Sequence, residues 1–201
     1  IYAELDNGYD SWAPDNNTDF HTYSDDTGED SQKTLGGSVR INLNSNNKYK
    51  FTSISAYTKT NLTHSYDGDW ANDQYWYSNH GFDSQVEGWS YEFFDRNDKE
   101  RKSKSQDFRL SFHDLILGVF YKNLIETDEA NGYLFGGLSN SAKSQYDFGY
   151  YSGYFKYDWK INPKIKLTTN YRLEKNTIDY SGQSEGMDYY YYTIDLPNVK
   201  H

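Results

Sequence analysis

The sequence predicts an all-β, antiparallel fold, and three observations support that prediction. Apolar and polar residues alternate with a period of two along several segments, which is typical of strands with one apolar face. Only three prolines occur and no 3.6-residue period is sustained, so we expect few helices. Aromatic residues make up 19% of the 201 residues, which argues against a disordered chain despite the net charge of −10.

Six segments carry the strand pattern, and they alternate between short and long connections. The predicted strands are residues 34–43, 48–63, 104–113, 115–126, 147–161 and 165–176. The short connections are turn-forming residues at 44–47, 113–114 and 162–164. Polar, glycine-rich residues predict long loops at about 1–30, 64–103, 127–146 and 177–201. Strict alternation places every short turn at one end of the sheet and every long loop at the other.

The two faces of the predicted sheet differ in chemistry. In the third strand Phe108, Leu110 and Phe112 share one face, and polar residues occupy the other. A two-residue turn at His113-Asp114 pairs Phe112 with Leu115 on that apolar face. The pattern does not decide which face of the second strand is the apolar one, because Tyr49, Phe51 and Tyr57 lie on one face and Ile54 and Ala56 on the other.

One apolar face and one charged face fit two architectures. A soluble β-sandwich turns the apolar face inward, whereas a transmembrane β-barrel turns it to lipid and keeps the charged face in its lumen. The contrast in loop length favours the barrel, because outer-membrane barrels have short periplasmic turns and long extracellular loops. Tyr49, Tyr157 and Trp159 lie near the short turns, as an interfacial aromatic belt requires.

Several classes of function are disfavoured by composition and motifs. The 30 acidic residues outnumber the 20 basic ones, so no nucleic-acid partner is expected. No cysteine is present, which excludes disulfides and thiolate metal sites. The five histidines lack metalloenzyme spacing, and no nucleophile elbow or phosphate-binding loop occurs, so we expect neither an enzyme nor a cofactor. The longest apolar run, residues 115–121, is too short for a membrane helix.

Four segments resemble strands of TonB-dependent outer-membrane receptors. Residues 51–57 (FTSISAY) resemble the family's T-S-I-T-A-Y strand, and residues 105–111 (SQDFRLS) are similar to its S-Q-E-L-R-L-S strand. Residues 117–121 (LGVFY) look like its G-x-F-Y strand, and residues 170–174 (NYRLE) resemble G-L-R-Y-E. All four stand in the family's order, and the resemblance covers about residues 48–175.

The resemblance implies a partial receptor domain over residues 1–201, an interior stretch of a barrel of about 22 strands. Such receptors sit in the outer membrane of Gram-negative bacteria and import a scarce nutrient by active transport. Ferric siderophores are the expected substrate class, with cobalamin and oligosaccharides as alternatives. The implied partners are outer-membrane lipid and the TonB complex, the latter through a plug domain that these residues do not contain.

The candidate ligand-binding residues are aromatic side chains of the second long loop. Trp70, Tyr75, Trp76 and Trp89 could stack on a ligand. For any one of them, packing within the loop is the stronger expectation. The four tyrosines Tyr189 to Tyr192 form either a binding surface or the start of another strand.

Charged residues give two further candidate groups. Arg109, Arg172 and Glu174 lie on the charged face, where we expect a lumenal ladder of salt bridges across strands. Asp25-Asp26 and Asp67-Gly68-Asp69 could hold Ca²⁺, but no full calcium loop is present and turn formation is the better account.

Two rival functions remain open at this stage. A soluble carbohydrate-binding sandwich would use the loop aromatics to stack on sugars. A passive outer-membrane channel would need neither a plug nor energy coupling.

Overall fold

The computed structural model describes residues 1–9, 12–19, 21–45, 48–134, 138–187, 193–195 and 199–200. Those residues form one open antiparallel sheet in which consecutive strands pair as neighbours. The seven long strands are β1 (Tyr2–Tyr9), β2 (Gly28–Ser45), β3 (Tyr49–Asp67), β4 (Phe94–Phe112), β5 (Leu115–Leu134), β6 (Leu138–Asn162) and β7 (Ile165–Met187). Two short strands, β8 (Thr193–Asp195) and β9 (Val199–Lys200), pair with β7. The prediction of an all-β, antiparallel fold is confirmed.

The three predicted short turns connect strands as expected. Phe112 pairs directly with Leu115 across the two-residue turn His113-Asp114. The Lys48 amide donates to the Ser45 carbonyl at 2.9 Å and closes the β2–β3 turn, two residues of which (46–47) lie outside the described set. In the β6–β7 turn the Lys164 amide donates to Oδ1 of Asn162 at 2.9 Å. All three turns lie at one end of the sheet, which we call the short-turn end.

The predicted loop bounds are wrong at the other end of the sheet. Strand β1 lies within the predicted loop 1–30, and β3 and β4 extend into the predicted loop 64–103, so only residues 68–93 connect them. The predicted loop 127–146 is largely strand, because β5 and β6 are joined by residues 135–137, which lie outside the described residues. The predicted loop 177–201 begins with eleven residues of β7.

The sequence did not predict these extensions of the strands, because polar residues predominate on both of their faces. Alternation of apolar and polar residues vanishes there, although the backbone ladder continues. Cross-strand ion pairs accompany the ladder, such as Lys99 Nζ to Asp128 Oδ2 at 2.9 Å. Opposite charges across strands stabilise a pair without leaving a hydrophobic pattern in the sequence.

The register resolves the two faces of the sheet from β2 to β7. Residues that stand directly opposite one another on successive strands form a row, and all side chains of a row lie on the same face. One such row contains only apolar or aromatic side chains: Leu43, Phe51, Leu110, Leu117, Phe155 and Tyr171. The next row, on the other face, reads Asn42, Thr52, Arg109, Gly118, Tyr154 and Arg172. We call the first side the band face and the second the opposite face. Tyr49, Phe51 and Tyr57 of β3 lie on the band face.

The apolar side chains of the band face are uncovered. Leu43 is 60% exposed, Leu117 44% and Tyr171 54%. Among the residues described, only Ala71 and Tyr75 are buried apolar side chains, and both lie outside the sheet. The band therefore has no second layer of the described chain packed on it.

Aromatic residues border the band on both sides. Next to the short turns, Tyr49 stacks on Phe112 with ring centroids 4.7 Å apart, and Tyr157 packs edge-to-face on Trp159 at 4.6 Å. On the far side, Tyr121 and Tyr151 oppose each other with centroids at 5.1 Å, and Tyr57 extends the border onto β3. On β3 and β4 polar residues already interrupt the band short of this rim, where Gln106 Nε2 donates to Ser53 Oγ at 3.0 Å. Beyond the rim the band face is mostly polar.

Candidate functional site

Residues 68–93 form an ordered loop at the end of the sheet away from the short turns. Asp67, which is 3% exposed, accepts hydrogen bonds from the amides of Asp69 and Trp70 at 3.1 Å each. The loop contains two helices, α1 (Asp73–His80) and α2 (Ser84–Glu87). Asn72 caps the first by accepting from the Tyr75 amide at 2.9 Å. The predicted role of Asp67 and Asp69 in turn formation agrees with these contacts.

Asp69 joins the beginning of the loop to its end. Its Oδ2 accepts from the Phe93 amide at 3.0 Å, and its Oδ1 accepts from the Ala71 amide at 3.0 Å. The Trp76 indole Nε1 also donates to Oδ1, at 3.5 Å. Burial raises the pKa of Asp69 to about 6, although these donors act in the opposite direction. The carboxyl of Asp69 therefore titrates closer to neutrality than an exposed aspartate.

Three of the four predicted ligand-binding aromatics meet in one cluster. Tyr75 packs edge-to-face on Trp76 with centroids 5.4 Å apart, and Trp76 lies 4.6 Å from Tyr91. Trp89 lies 4.8 Å from Tyr91 and 4.7 Å from Phe82. We call Tyr75, Trp76, Phe82, Trp89 and Tyr91 the loop cluster.

The fourth predicted residue, Trp70, lies apart from the loop cluster. Its ring stacks on Tyr66 with centroids 5.3 Å apart, and Trp12 approaches it edge-on at 6.4 Å. Trp70 therefore anchors the loop to the end of β3 and to the segment that follows β1.

Exposure separates packing residues from residues that a ligand could reach. Tyr75 is only 7% exposed, so its ring serves the interior of the loop. Trp89 is 36% exposed and Tyr77 58%, and both present ring surface to solvent. A ligand approaching this conformation meets Trp89 rather than Tyr75.

The loop also docks on residues that the sequence did not single out. The Tyr23 ring lies 4.6 Å from that of Tyr75, and its carbonyl accepts from Asn72 Nδ2 at 2.7 Å. Tyr23 in turn donates to Asp15 Oδ2 at 2.8 Å. No local motif marks this contact, because the partners are about 50 residues apart in the chain.

Within the described residues, no group of three or more His, Asp or Glu side chains is placed to hold a metal ion. Burial raises the pKa of Asp67, and its Oδ1 is occupied by backbone amides. The suggested Ca²⁺ site in the acidic loops therefore gains no support from the geometry.

The charged candidates on the opposite face form local pairs rather than a ladder across strands. Arg109 Nη2 donates to Asp107 Oδ2 at 3.0 Å, two residues away on β4. Arg172 pairs with Glu174, again two residues away on one strand. The expected cross-strand salt bridges at these residues are thus replaced by pairs within each strand.

Tyr154 supplies the cross-strand connection that sequence reasoning missed. Its hydroxyl donates to Asp107 Oδ1 at 3.1 Å and accepts from Arg109 Nε at 3.1 Å, reaching over β5 to β4. Arg172 stands directly opposite Tyr154 on the other side. The Tyr154 hydroxyl thereby links β6 to the polar side chains of β4 across β5.

The chain matches no protein-family model and no curated protein. In the parts of the chain that are described, no helix is long and apolar enough to cross a membrane. The predicted run Tyr189 to Tyr192 falls outside the described residues.

Proposed function

We propose that this chain is part of the β-barrel of a TonB-dependent receptor in the outer membrane of a Gram-negative bacterium. The receptor would import a scarce nutrient, with a ferric siderophore as the leading candidate. The observation that carries the proposal is the uncovered apolar band across β2 to β7, bordered by aromatic residues on both sides. The opposite face, with Arg109, Tyr154 and Arg172, would then line the lumen.

The apolar band must be shielded from water in the folded protein, and lipid acyl chains match its apolar side chains. Soluble monomers rarely expose apolar patches beyond a few hundred Å². A soluble sandwich would need a second sheet over the band, and the described residues form a single layer. In lipid the same surface is favourable, and tyrosine and tryptophan rings prefer the two interfaces. Backbone pairing along the ladders satisfies the amides and carbonyls that lipid cannot solvate.

The height of the band agrees with a bilayer. On β6 the band face is apolar or aromatic, apart from one glycine, from Tyr151 to Ile161. That stretch spans about 33 Å along the strand at the usual rise per residue. At a strand tilt of about 40° it projects to about 25 Å, which is the usual apolar height of outer-membrane barrels.

The stagger of the hairpins also suits a barrel. Leu115 begins β5 opposite Tyr157, yet β6 continues to Asn162 before the chain turns. The β6–β7 hairpin therefore reaches beyond the β4–β5 hairpin by several residues. Tilted strands in a closed barrel require a progressive offset of this kind.

The four segments that resemble receptor strands lie on adjacent elements. Residues 51–57, 105–111 and 117–121 belong to the neighbouring strands β3, β4 and β5, and residues 170–174 belong to β7. The loop cluster lies at the opposite end from the short turns, where an extracellular ligand would arrive. A plug domain elsewhere in the longer polypeptide would couple binding to the TonB complex.

The proposal is tested by uptake in cells that make the full-length protein. Outer-membrane fractionation and heat-dependent mobility of the folded protein establish the barrel. Uptake of iron-55 from a panel of ferric siderophores is then measured with and without a protonophore. We expect accumulation of at least one complex, abolished by the protonophore and reduced by Trp89→Ala. Entry that persists in the protonophore favours a passive channel, and a soluble full-length protein overturns the proposal.

A further inference from the structure

Three lysines lie together on the band face, one level with Tyr57 of the far aromatic rim and two in the next row. Lys59 is the next band-face residue after Tyr57 on β3. On β4, Lys104 stands directly opposite Tyr57, and Lys102 stands directly opposite Lys59. We call Lys59, Lys102 and Lys104 the lysine patch. It is held on two paired strands, so the positions of its backbone are fixed by the ladder.

The lysine patch carries a local excess of positive charge. Like charges directly opposite on paired strands destabilise a sheet, and Lys59 and Lys102 are such a pair. Glu100 lies between them and contacts both, one ammonium group on each carboxylate oxygen. No carboxylate among the described residues pairs with Lys104. Three lysines and one glutamate leave two positive charges here, in a protein whose net charge is −10.

The position of the lysine patch suggests what neutralises it. If the band spans the bilayer with the short turns at the periplasm, the patch lies at the level of the outer-leaflet headgroups. Lysine side chains beside an aromatic rim reach readily into that layer. Phosphate oxygens accept hydrogen bonds from ammonium groups and supply the missing negative charge.

We propose that the lysine patch binds the phosphate of an outer-leaflet lipid headgroup. This inference rests on the proposed outer-membrane location, and it adds a lipid site on the outer wall of the barrel. Glu100 would act as a spacer that holds two ammonium groups side by side, and Lys104 would provide the third donor. Tyr57 would place its ring against the acyl chains beneath the phosphate.

The test compares lipid binding by the full-length protein and two triple variants in a nonionic detergent. Short-chain phosphatidic acid is the probe, titrated by native mass spectrometry. The patch variant carries Lys59→Gln, Lys102→Gln and Lys104→Gln. The matched control carries Lys156→Gln, Lys160→Gln and Lys166→Gln, three lysines on the opposite face towards the short-turn end, two of which share Asp158 as Lys59 and Lys102 share Glu100. Both variants remove the same charge.

We expect the patch variant to bind the probe about a hundredfold more weakly, since each of the three lysines near a headgroup layer contributes roughly fivefold. The control should bind like the wild type, and arginine at the three patch positions should preserve binding. Unchanged heat-dependent mobility confirms that each variant is folded.

Equal binding by the patch variant and the wild type would overturn the lipid site and leave the proposed receptor intact. Displacement of the probe by millimolar inorganic phosphate would also overturn it, because the patch would then be a general anion site. A full-length protein found outside the membrane would overturn both proposals together.

Discussion

The phenol ring of Tyr154 lies directly on the backbone of Gly118, its partner on the neighbouring strand. A Cβ atom at Gly118 would overlap the ring, so only glycine leaves room for this arrangement. The contact lays the ring across β5 and brings its hydroxyl to Asp107 and Arg109 on β4. Gly118 and Tyr154 thus connect three strands on the opposite face.

Replacing Gly118 by alanine should destabilise the sheet. The methyl group would displace the Tyr154 ring and weaken its hydrogen bonds, at a cost of about 1–3 kcal/mol. Gly153→Ala is the matched control, because nothing lies within 4 Å of a Cβ at that position. Urea unfolding of the full-length protein in lipid vesicles measures both. Equal stabilities of the two variants would show that the packing of the Tyr154 ring does not depend on a glycine at position 118.

An arginine introduced into β5 should destabilise the folded protein on the band face and not on the opposite face. Leu117→Arg places a guanidinium on the band face and should cost about 2–4 kcal/mol if that face meets lipid. Ile116→Arg is the control, because Ile116 lies on the opposite face between Ser111 and Lys156. The amount of folded protein in the outer-membrane fraction reports the difference. Similar losses for the two variants would contradict the assignment of the faces.

The strands beside the short turns were predictable from the sequence, whereas the far end of the sheet was not. The pair Phe112 and Leu115 followed from a two-residue turn and from alternation with one apolar face. The contact between Gly118 and Tyr154 depends on the register of β5 against β6. The sequence did not predict that register, because the polar residues between the two strands indicated a long loop. Strand β1 was also missed, because only Ala3 and Leu5 alternate with polar residues there and so short a run does not predict a strand.

The loop was only partly predictable. Its aromatic composition indicated a cluster, and Trp76 and Trp89 do share one. The contact between Tyr23 and Tyr75 joins distant segments, so no local signal could reveal which rings would be buried. Whether a ligand can reach Tyr75 or Trp89 is decided by the burial of each ring and not by the residue type.

Asp69 should titrate near pH 6. Its pKa is raised by burial, so the ionised form disfavours the folded loop. The contribution of Asp69 to loop stability is therefore fully present below about pH 4 and is lost as pH rises through about 6. The indole N–H of Trp76, which donates to Asp69, should report the titration in an NMR experiment. A midpoint near 4 for that resonance would contradict the burial of this carboxyl.

Truncating Tyr75 should open the loop, whereas truncating Tyr77 should not. Tyr75→Ala removes a ring that is 7% exposed, and loss of a buried aromatic side chain costs about 3–5 kcal/mol. Tyr77 is 58% exposed, and its removal should change stability by less than about 0.5 kcal/mol. Limited proteolysis of residues 68–93 on intact cells compares the two variants. Equal cleavage rates would mean that the loop does not depend on the Tyr75 ring.

The most direct test of the lipid-facing band is a cysteine scan along β5, since these 201 residues contain no cysteine. Any cysteine elsewhere in the full-length protein is first replaced by serine. Single cysteines at residues 116 to 121 are introduced into the full-length protein in outer-membrane vesicles. Each is treated with a membrane-impermeant maleimide and, separately, with a lipid-soluble one. We expect Leu117→Cys, Val119→Cys and Tyr121→Cys to react only with the lipid-soluble reagent. The even-numbered positions should react with the aqueous reagent or be shielded from both. Reaction of Leu117→Cys and Val119→Cys with the aqueous reagent would contradict a bilayer-spanning band.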